Sequence, residues 1–174
     1  MSAIFNSIPL AAYPLGLGLL TTSSIFFGNI GLTLTGPLPI IKGELGETGL
    51  NGKQKLRVWQ AFFDEATKYI VGGTFLTSAL HLLALPFLPT QNLKILSATS
   101  AALSLSIFPY TGLVVLPTIK SLKTLDEKAE LTPAEDKEVD RLVKKWDAQH
   151  KVRYGMYGPA WAIGLAAFVG VFAA

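Results

Sequence analysis

The sequence predicts an all-α integral membrane protein, a four-helix bundle with an amphipathic cytosolic helix before the fourth span. Four long stretches contain no Lys, Arg, Asp or Glu: residues 1–41, 69–89, 95–119 and 154–174. Each of the last three has about 20 to 25 residues, enough for a helix to cross a hydrocarbon layer of roughly 30 Å. Half of the chain is hydrophobic (50%) and 16% is charged. The stretches are apolar all round, which favours membrane helices over a soluble fold.

The spans are predicted at about 10–34, 67–88, 95–117 and 154–173, within a single domain that covers 1–174. Small residues at i and i+4, such as Ser24 and Gly28 in the first span, let membrane helices approach closely. Pro109 lies inside the third span and predicts a kink there. Residues 1–20 lack the basic segment of a secretory signal, so they are assigned to the first span; cleavage is the alternative.

The distribution of basic residues predicts the orientation. All but two of the 15 Lys and Arg residues, Lys68 and Lys94, lie in the connections 35–57 and 118–153. The positive-inside rule places both connections in the cytosol and both termini on the opposite side, in the endoplasmic reticulum or another endomembrane. The basic charge thus reflects topology and does not predict nucleic-acid binding. The absence of cysteine excludes disulfides, thiolate nucleophiles and Cys-ligated metal centres.

The second long connection contains the amphipathic helix, predicted at about 133–153. Thr132, Pro133 and Glu135 form a capping-box sequence at its start. One face carries the apolar residues together with three unusual ones: Val139, Leu142, Val143, Trp146, His150 and Arg153. The charged residues, Asp147 among them, lie on the remaining surface of the helix. Either this face meets the membrane interface, with Trp in the aromatic belt and Arg snorkelling, or it lines the mouth of a cavity.

A second cluster precedes the second span, in residues 55–68, and includes Arg57 and Trp59. The helical face of Trp59 continues into the span and reaches His81. Ionisable groups inside a membrane usually face the bundle interior, so His81 is either a neutral ring bonded to Ser, Thr or a carbonyl, or part of a site. Asn29, near the cytosolic end of the first span, has the same two interpretations.

These residues occur in an order that resembles a known family. The motifs are Gly28-Asn29, Leu56-Arg57-Val58-Trp59, Pro109-Tyr110-Thr111, Pro117-Thr118 and Trp146-x3-His150-x2-Arg153. They resemble the DUF1772 anthrone oxygenase-like family of small four-span membrane proteins of fungal polyketide pathways. The resemblance implies oxidation of an anthrone to an anthraquinone with O2 and without a cofactor.

Such a reaction needs a base, a donor for an oxyanion and aromatic walls. The resemblance implies His150 or His81 as base and Arg57 or Arg153 at the oxyanion. Trp59 and Trp146 would stack on the planar substrate, and Asn29, His81 and Tyr110 would complete its binding site. No metal site is predicted, because the two histidines lie on different helices with no carboxylate at ligand spacing.

Two further function classes stay open. The first is a non-catalytic membrane protein of the same fold, which binds a lipid or apolar metabolite or scaffolds a partner. The second is a small transporter, disfavoured because the sequence shows no inverted repeat and no ladder of intramembrane polar residues, although an oligomer could form a pore. The expected partners are the lipid bilayer, a planar aromatic or other apolar small molecule, and O2.

Overall fold

The computed structural model describes residues 8–174, and over that range its regular secondary structure is helical, without strands. Residues 1–7, the start of the first uncharged stretch and of the segment weighed as a signal peptide, lie outside the described residues. The helices are α1 (Ala12–Thr35), α2 (Pro37–Ile41), α3 (Gly52–Ala84), α4 (Gln91–Leu105), α5 (Ile107–Tyr110), α6 (Leu116–Asp126), α7 (Pro133–Val152) and α8 (Tyr154–Gly170). A 3₁₀ turn, Leu85–Phe87, follows α3, and a π-helical segment, Thr111–Val115, joins α5 to α6.

Three helical segments are long and apolar enough to cross a membrane: Ala12–Ile41, Gly52–Phe87 and Gln91–Asp126. They include the first three predicted spans. The fourth predicted span coincides with α8, which is apolar but has 17 residues, somewhat fewer than the roughly 20 that a spanning helix needs. The chain is thus an all-helical protein with three candidate spans, and the four-span bundle stays a prediction.

Two boundaries differ from the sequence-based expectation. The second span was expected to start near residue 67, but α3 begins at Gly52, because the amphipathic segment before the span is continuous with it. Around Pro109, where a kink was expected, α4 has ended at Leu105, the short α5 spans Ile107–Tyr110, and a π-helical segment begins two residues after the proline. A π turn holds one residue more than an α turn, and such turns are a known cause of helix kinks.

The chain divides into two compact units. The first unit contains the chain up to Phe27, Ile70–Ile107 and Gly155–Ala174; the second contains Gly28–Tyr69 and Phe108–Tyr154.

The first unit has a row of buried polar side chains in its core, which corrects the expectation that the spans lack one. Its members are Thr22, Thr74, Thr77, Ser78, His81, Ser97, Ser100 and Ser104. Several bond to one another or to backbone carbonyls: Thr77 donates to Gly18 O at 2.6 Å, and Ser78 donates to Thr74 O at 2.9 Å. The first of these bonds joins α3 to α1, as interhelical hydrogen bonds do in membrane proteins, and the second lies within α3. The pattern of serine and threonine at every third or fourth residue is easily overlooked, because these side chains are small and uncharged and do not interrupt the uncharged stretches.

The second unit has an apolar core at the start of α3 and along α6 and α7. Its buried members are Leu38, Ile41, Leu56, Trp59, Val115, Ile119, Leu122, Leu125, Val139, Leu142, Val143 and Trp146. The predicted amphipathic helix is confirmed as α7: Thr132 Oγ1 accepts from the Glu135 amide, and the Glu135 side chain accepts from the Thr132 amide. This cap fixes where α7 starts and therefore which of its residues face the core.

Candidate functional site

Aromatic rings from α3 and α7 form the centre of the second unit. Trp59 stacks on Phe63 with ring centroids 5.1 Å apart, and Trp146 meets Trp59 edge-on at 5.8 Å. Phe62 contacts Trp146 edge-on at 6.4 Å. On α7, Trp146 stacks on His150 at 5.1 Å. Both stacked pairs are four residues apart, the spacing that brings side chains together on one helix face. We call Trp59, Phe62, Phe63, Trp146 and His150 the aromatic cluster.

The His150 ring is buried against a cation. The Arg153 guanidinium, which can only donate, hydrogen-bonds to His150 Nδ1, so the neutral ring carries its proton on Nε2. Burial and the neighbouring Arg153 charge lower the pKa of His150 to about 3. At neutral pH the ring is therefore an N–H donor with little basicity. This environment argues against the expected role of His150 as the base.

A group of charged residues lies beside His150. Asp147 Oδ2 accepts from Lys42 at 2.6 Å and from Lys151 at 2.8 Å, and Lys42 also contacts Glu44 at 2.8 Å. The side chains of Lys42 and Asp147 are 4% and 6% exposed. Burial alone would raise the pKa of Asp147, but the hydrogen bonds and charges of Lys151 and Lys42 outweigh it and hold that pKa below its usual value. Asp147, which the sequence placed outside the apolar face of α7, is nevertheless buried.

Two of the predicted substrate-binding residues, Asn29 and Tyr110, take part in hydrogen bonds with tyrosine hydroxyls in the second unit. Asn29 is buried, and its backbone carbonyl accepts from Tyr154 Oη at 3.1 Å. The Tyr110 hydroxyl donates to the Gln149 carbonyl at 3.0 Å, which ties Tyr110 to α7. Arg57, in contrast, is exposed on α3.

His81 belongs to the first unit. Its Nδ1 lies 3.3 Å from Ser97 Oγ and its Nε2 lies 3.2 Å from Ser100 Oγ. Ser100 itself donates to Ala160 O at 2.8 Å, so His81 Nε2 is placed to donate to Ser100. Of the two interpretations of His81, the geometry favours a ring bonded within the core.

A cavity of about 480 Å³ borders the aromatic cluster in the second unit. Its lining residues are Leu32, Pro37, Val58, Ala61, Phe62, Glu65 and Ala66. We call it the Phe62 cavity, because Phe62 also belongs to the aromatic cluster. Its volume lies within the roughly 300–1,000 Å³ of small-molecule sites, and its surface is almost entirely apolar, as is usual for such sites.

The expected cavity face of α7 is not part of this lining. Trp146, His150 and Arg153 are buried at 2%, 4% and 9% exposure, and none of them lines the Phe62 cavity. Of the three, Trp146 contacts the cavity wall, through its edge-on packing with Phe62. Over residues 8–174, no group of three or more His, Asp or Glu side chains is arranged to hold a metal ion.

Comparison with known protein families gave one match: the model described as anthrone oxygenase covers residues 59–163. The chain belongs to the anthrone oxygenase family. The match confirms the resemblance seen in the motifs. Comparisons with curated proteins and with solved structures gave no match.

The family match covers most of the candidate site of this anthrone oxygenase family member. It includes Trp59, Phe62, Glu65, Trp146, His150 and Arg153, whereas Asn29, Lys42 and Arg57 precede it. Sequence reasoning missed Lys42, Asp147 and Glu65. The four-residue spacing between Ala61 and Glu65 could have indicated that Glu65 lies on the same face of α3 as Ala61. No local signal indicates the pair of Lys42 and Asp147, which lie 105 positions apart.

Proposed function

We propose that this anthrone oxygenase family member oxidises a planar anthrone to the corresponding anthraquinone with O2 and without a cofactor. The benzylic CH2 loses a proton and its carbanion is delocalised as a phenolate. The anion passes one electron to O2, the two radicals combine to a peroxide, and loss of water leaves a carbonyl. One CH2 and one O2 thus give one C=O and one H2O.

The observation that carries this proposal is the Phe62 cavity. Its wall is aliphatic and aromatic, which suits a flat hydrophobic ring system, and Glu65 is the one ionisable residue among its lining residues. The cavity opens among residues of α1 and of α3, both of which belong to candidate spans, so an apolar substrate could enter from the bilayer. Among the predicted substrate-binding residues, Trp59 and Trp146 would act by holding Phe62 in place rather than by stacking on the substrate.

The test is turnover of an anthrone such as emodin anthrone by protein purified in detergent. We expect quinone formation above the spontaneous rate, with one O2 consumed for each quinone formed. Ala61→Trp should fill the Phe62 cavity and lower kcat/KM by about 10²-fold, because a displaced substrate loses its alignment. Ala102→Trp, at an exposed position outside the cavity lining, is the control and should retain the wild-type rate. Equal rates for both variants would contradict binding in this cavity.

The runner-up is a non-catalytic protein that binds an apolar metabolite in the same cavity. It is favoured by the state of the two histidines, since His150 is bonded to Arg153 and His81 lies between two serines. In that case the anthrone would quench tryptophan fluorescence without forming quinone above background.

We also propose a location in the endoplasmic reticulum or another endomembrane, with the connections 35–57 and 118–153 in the cytosol. The excess of Lys and Arg in and beside these connections supports it. In sealed microsomes, a protease should cleave a tag inserted at 127–132 and spare a tag at the N-terminus. A protected C-terminal tag would support α8 as a fourth span, and a cleaved one would support three spans. Cleavage of the N-terminal tag alone would reverse the orientation.

A further inference from the structure

The proposed reaction needs a base that touches the substrate, and neither histidine meets that requirement. His150 Nδ1 is engaged by Arg153, and the ring is not part of the Phe62 cavity lining. His81 lies in the core of the first unit, with both ring nitrogens facing serine hydroxyls. A general base must come within hydrogen-bond reach of the proton that it removes.

Glu65 is the ionisable residue in the lining of the Phe62 cavity. The other lining residues are aliphatic or aromatic, and Glu65 shares a face of α3 with Ala61, four residues before it, and with Phe62, three residues before it. The Lys68 ammonium contacts only one of the two carboxylate oxygens, Oε1, at 2.7 Å. The side chains of Glu65 and Lys68 are 77% and 72% exposed. Ion pairs this exposed are weak, about 0–1 kcal/mol, so Glu65 can turn toward a bound ligand.

We propose that the Glu65 carboxylate is the general base of this site and removes the benzylic proton of an anthrone held against Phe62. This inference rests on the proposed function. The proton passes to a Glu65 oxygen, and the C–H electron pair stays on the substrate as the delocalised phenolate.

The same carboxylate completes the reaction. After O2 has combined with the anion, protonated Glu65 returns its proton to the peroxide anion and is restored as a carboxylate. Glu65 then removes the second hydrogen of the original CH2 while the O–O bond breaks. The leaving hydroxide takes that proton from Glu65 and departs as water. O2 is the oxidant, and the protein is unchanged at the end of the cycle.

The decisive variant is Glu65→Gln, which keeps the size and polarity of the side chain and removes its basicity. We expect kcat to fall by about 10²-fold or more, the usual scale for loss of a general base, with KM changed less than about threefold. In the wild type, deuteration of the substrate CH2 should slow turnover, since that C–H bond breaks. Formate should partly restore the rate of Glu65→Ala by entering the space left by the side chain.

Asp64→Asn is the matched control. Asp64 is the neighbouring exposed carboxylate; it accepts from Gln60 at 2.6 Å and is not part of the cavity lining. This variant should keep the wild-type kcat. A wild-type protein that forms no quinone above background would overturn the proposed function and the role of Glu65 with it. An active wild type with an equally active Glu65→Gln would overturn only the role of Glu65. A 10²-fold loss in His150→Asn alone would return the base to His150.

Discussion

Replacing Asp147 by leucine lowers the free energy of unfolding by about 3–5 kcal/mol, the cost of breaking a buried ion pair by removing one partner. Asp147 lies between Lys42 and Lys151, and Lys42 is buried with it. In Asp147→Leu, the Lys42 ammonium stays buried and keeps only Glu44, whose side chain is 55% exposed. Titration of detergent-solubilised protein with a denaturant, followed by circular dichroism, measures the loss.

A double variant separates the buried charge from simple loss of packing. In Lys42→Met/Asp147→Leu both buried charges are gone, so most of the lost stability should return, as for other buried pairs replaced by apolar residues. Lys151→Gln is the control. The Lys151 side chain is 47% exposed, so its contact with Asp147 should contribute about 1 kcal/mol or less. If the double variant were no more stable than Asp147→Leu, the pair would not be the cause.

The second large effect is a loss of stability in mild acid that depends on His150. The pKa of this ring is lowered to about 3 in the folded protein, by burial first and then by Arg153, whereas an unfolded histidine titrates near 6.5. Between these values the unfolded chain binds a proton that the folded chain does not. The stability present above pH 6.5 is therefore lost as the pH falls, by about 1.4 kcal/mol for each pH unit within the window.

The comparison variant is His150→Gln, which cannot titrate. Denaturant titrations at pH 7, 6 and 5 should show a steeper decline for the wild type than for this variant. The interval above pH 5 is the informative one, because Asp147, whose pKa is depressed by its lysine partners, loses its contribution only at lower pH. Parallel declines would mean that Arg153 and the surrounding rings do not keep His150 neutral.

Sequence motifs of a few residues predicted those features of the fold that are determined by residues close together in the chain. The start of α7 was predicted at residue 133, because a capping box needs only Thr132 and Glu135. Apolar length likewise indicated the three helical segments that are candidate spans. It could not locate the start of α3, since residues 52–68 are helical without being uniformly apolar, and that part of the helix is stabilised by packing of Leu56 and Trp59 into the second unit's core.

The candidate site was predicted in part, for a related reason. Spacing along α7 predicted that Trp146, His150 and Arg153 share one helix face, and all three are buried. The Phe62 cavity was not foreseen, because its walls come from α1, α2 and α3 and its shape depends on how the chain turns at Gly36. A Cβ on Gly36 would lie 2.3 Å from the Leu32 carbonyl oxygen, so the turn between Leu32 and Pro37, both in the cavity wall, requires glycine.

The π-helical segment Thr111–Val115 also changes how the third candidate span must be plotted. Because it accommodates one additional residue, every position after Val115 occupies the angular place that its predecessor would have in an unbroken α-helix. On a helical wheel drawn through 95–117 as a single α-helix, the later residues are therefore misplaced by about 100°. Two wheels, one ending at Tyr110 and one starting at Leu116, are needed to compare the faces of this span among relatives.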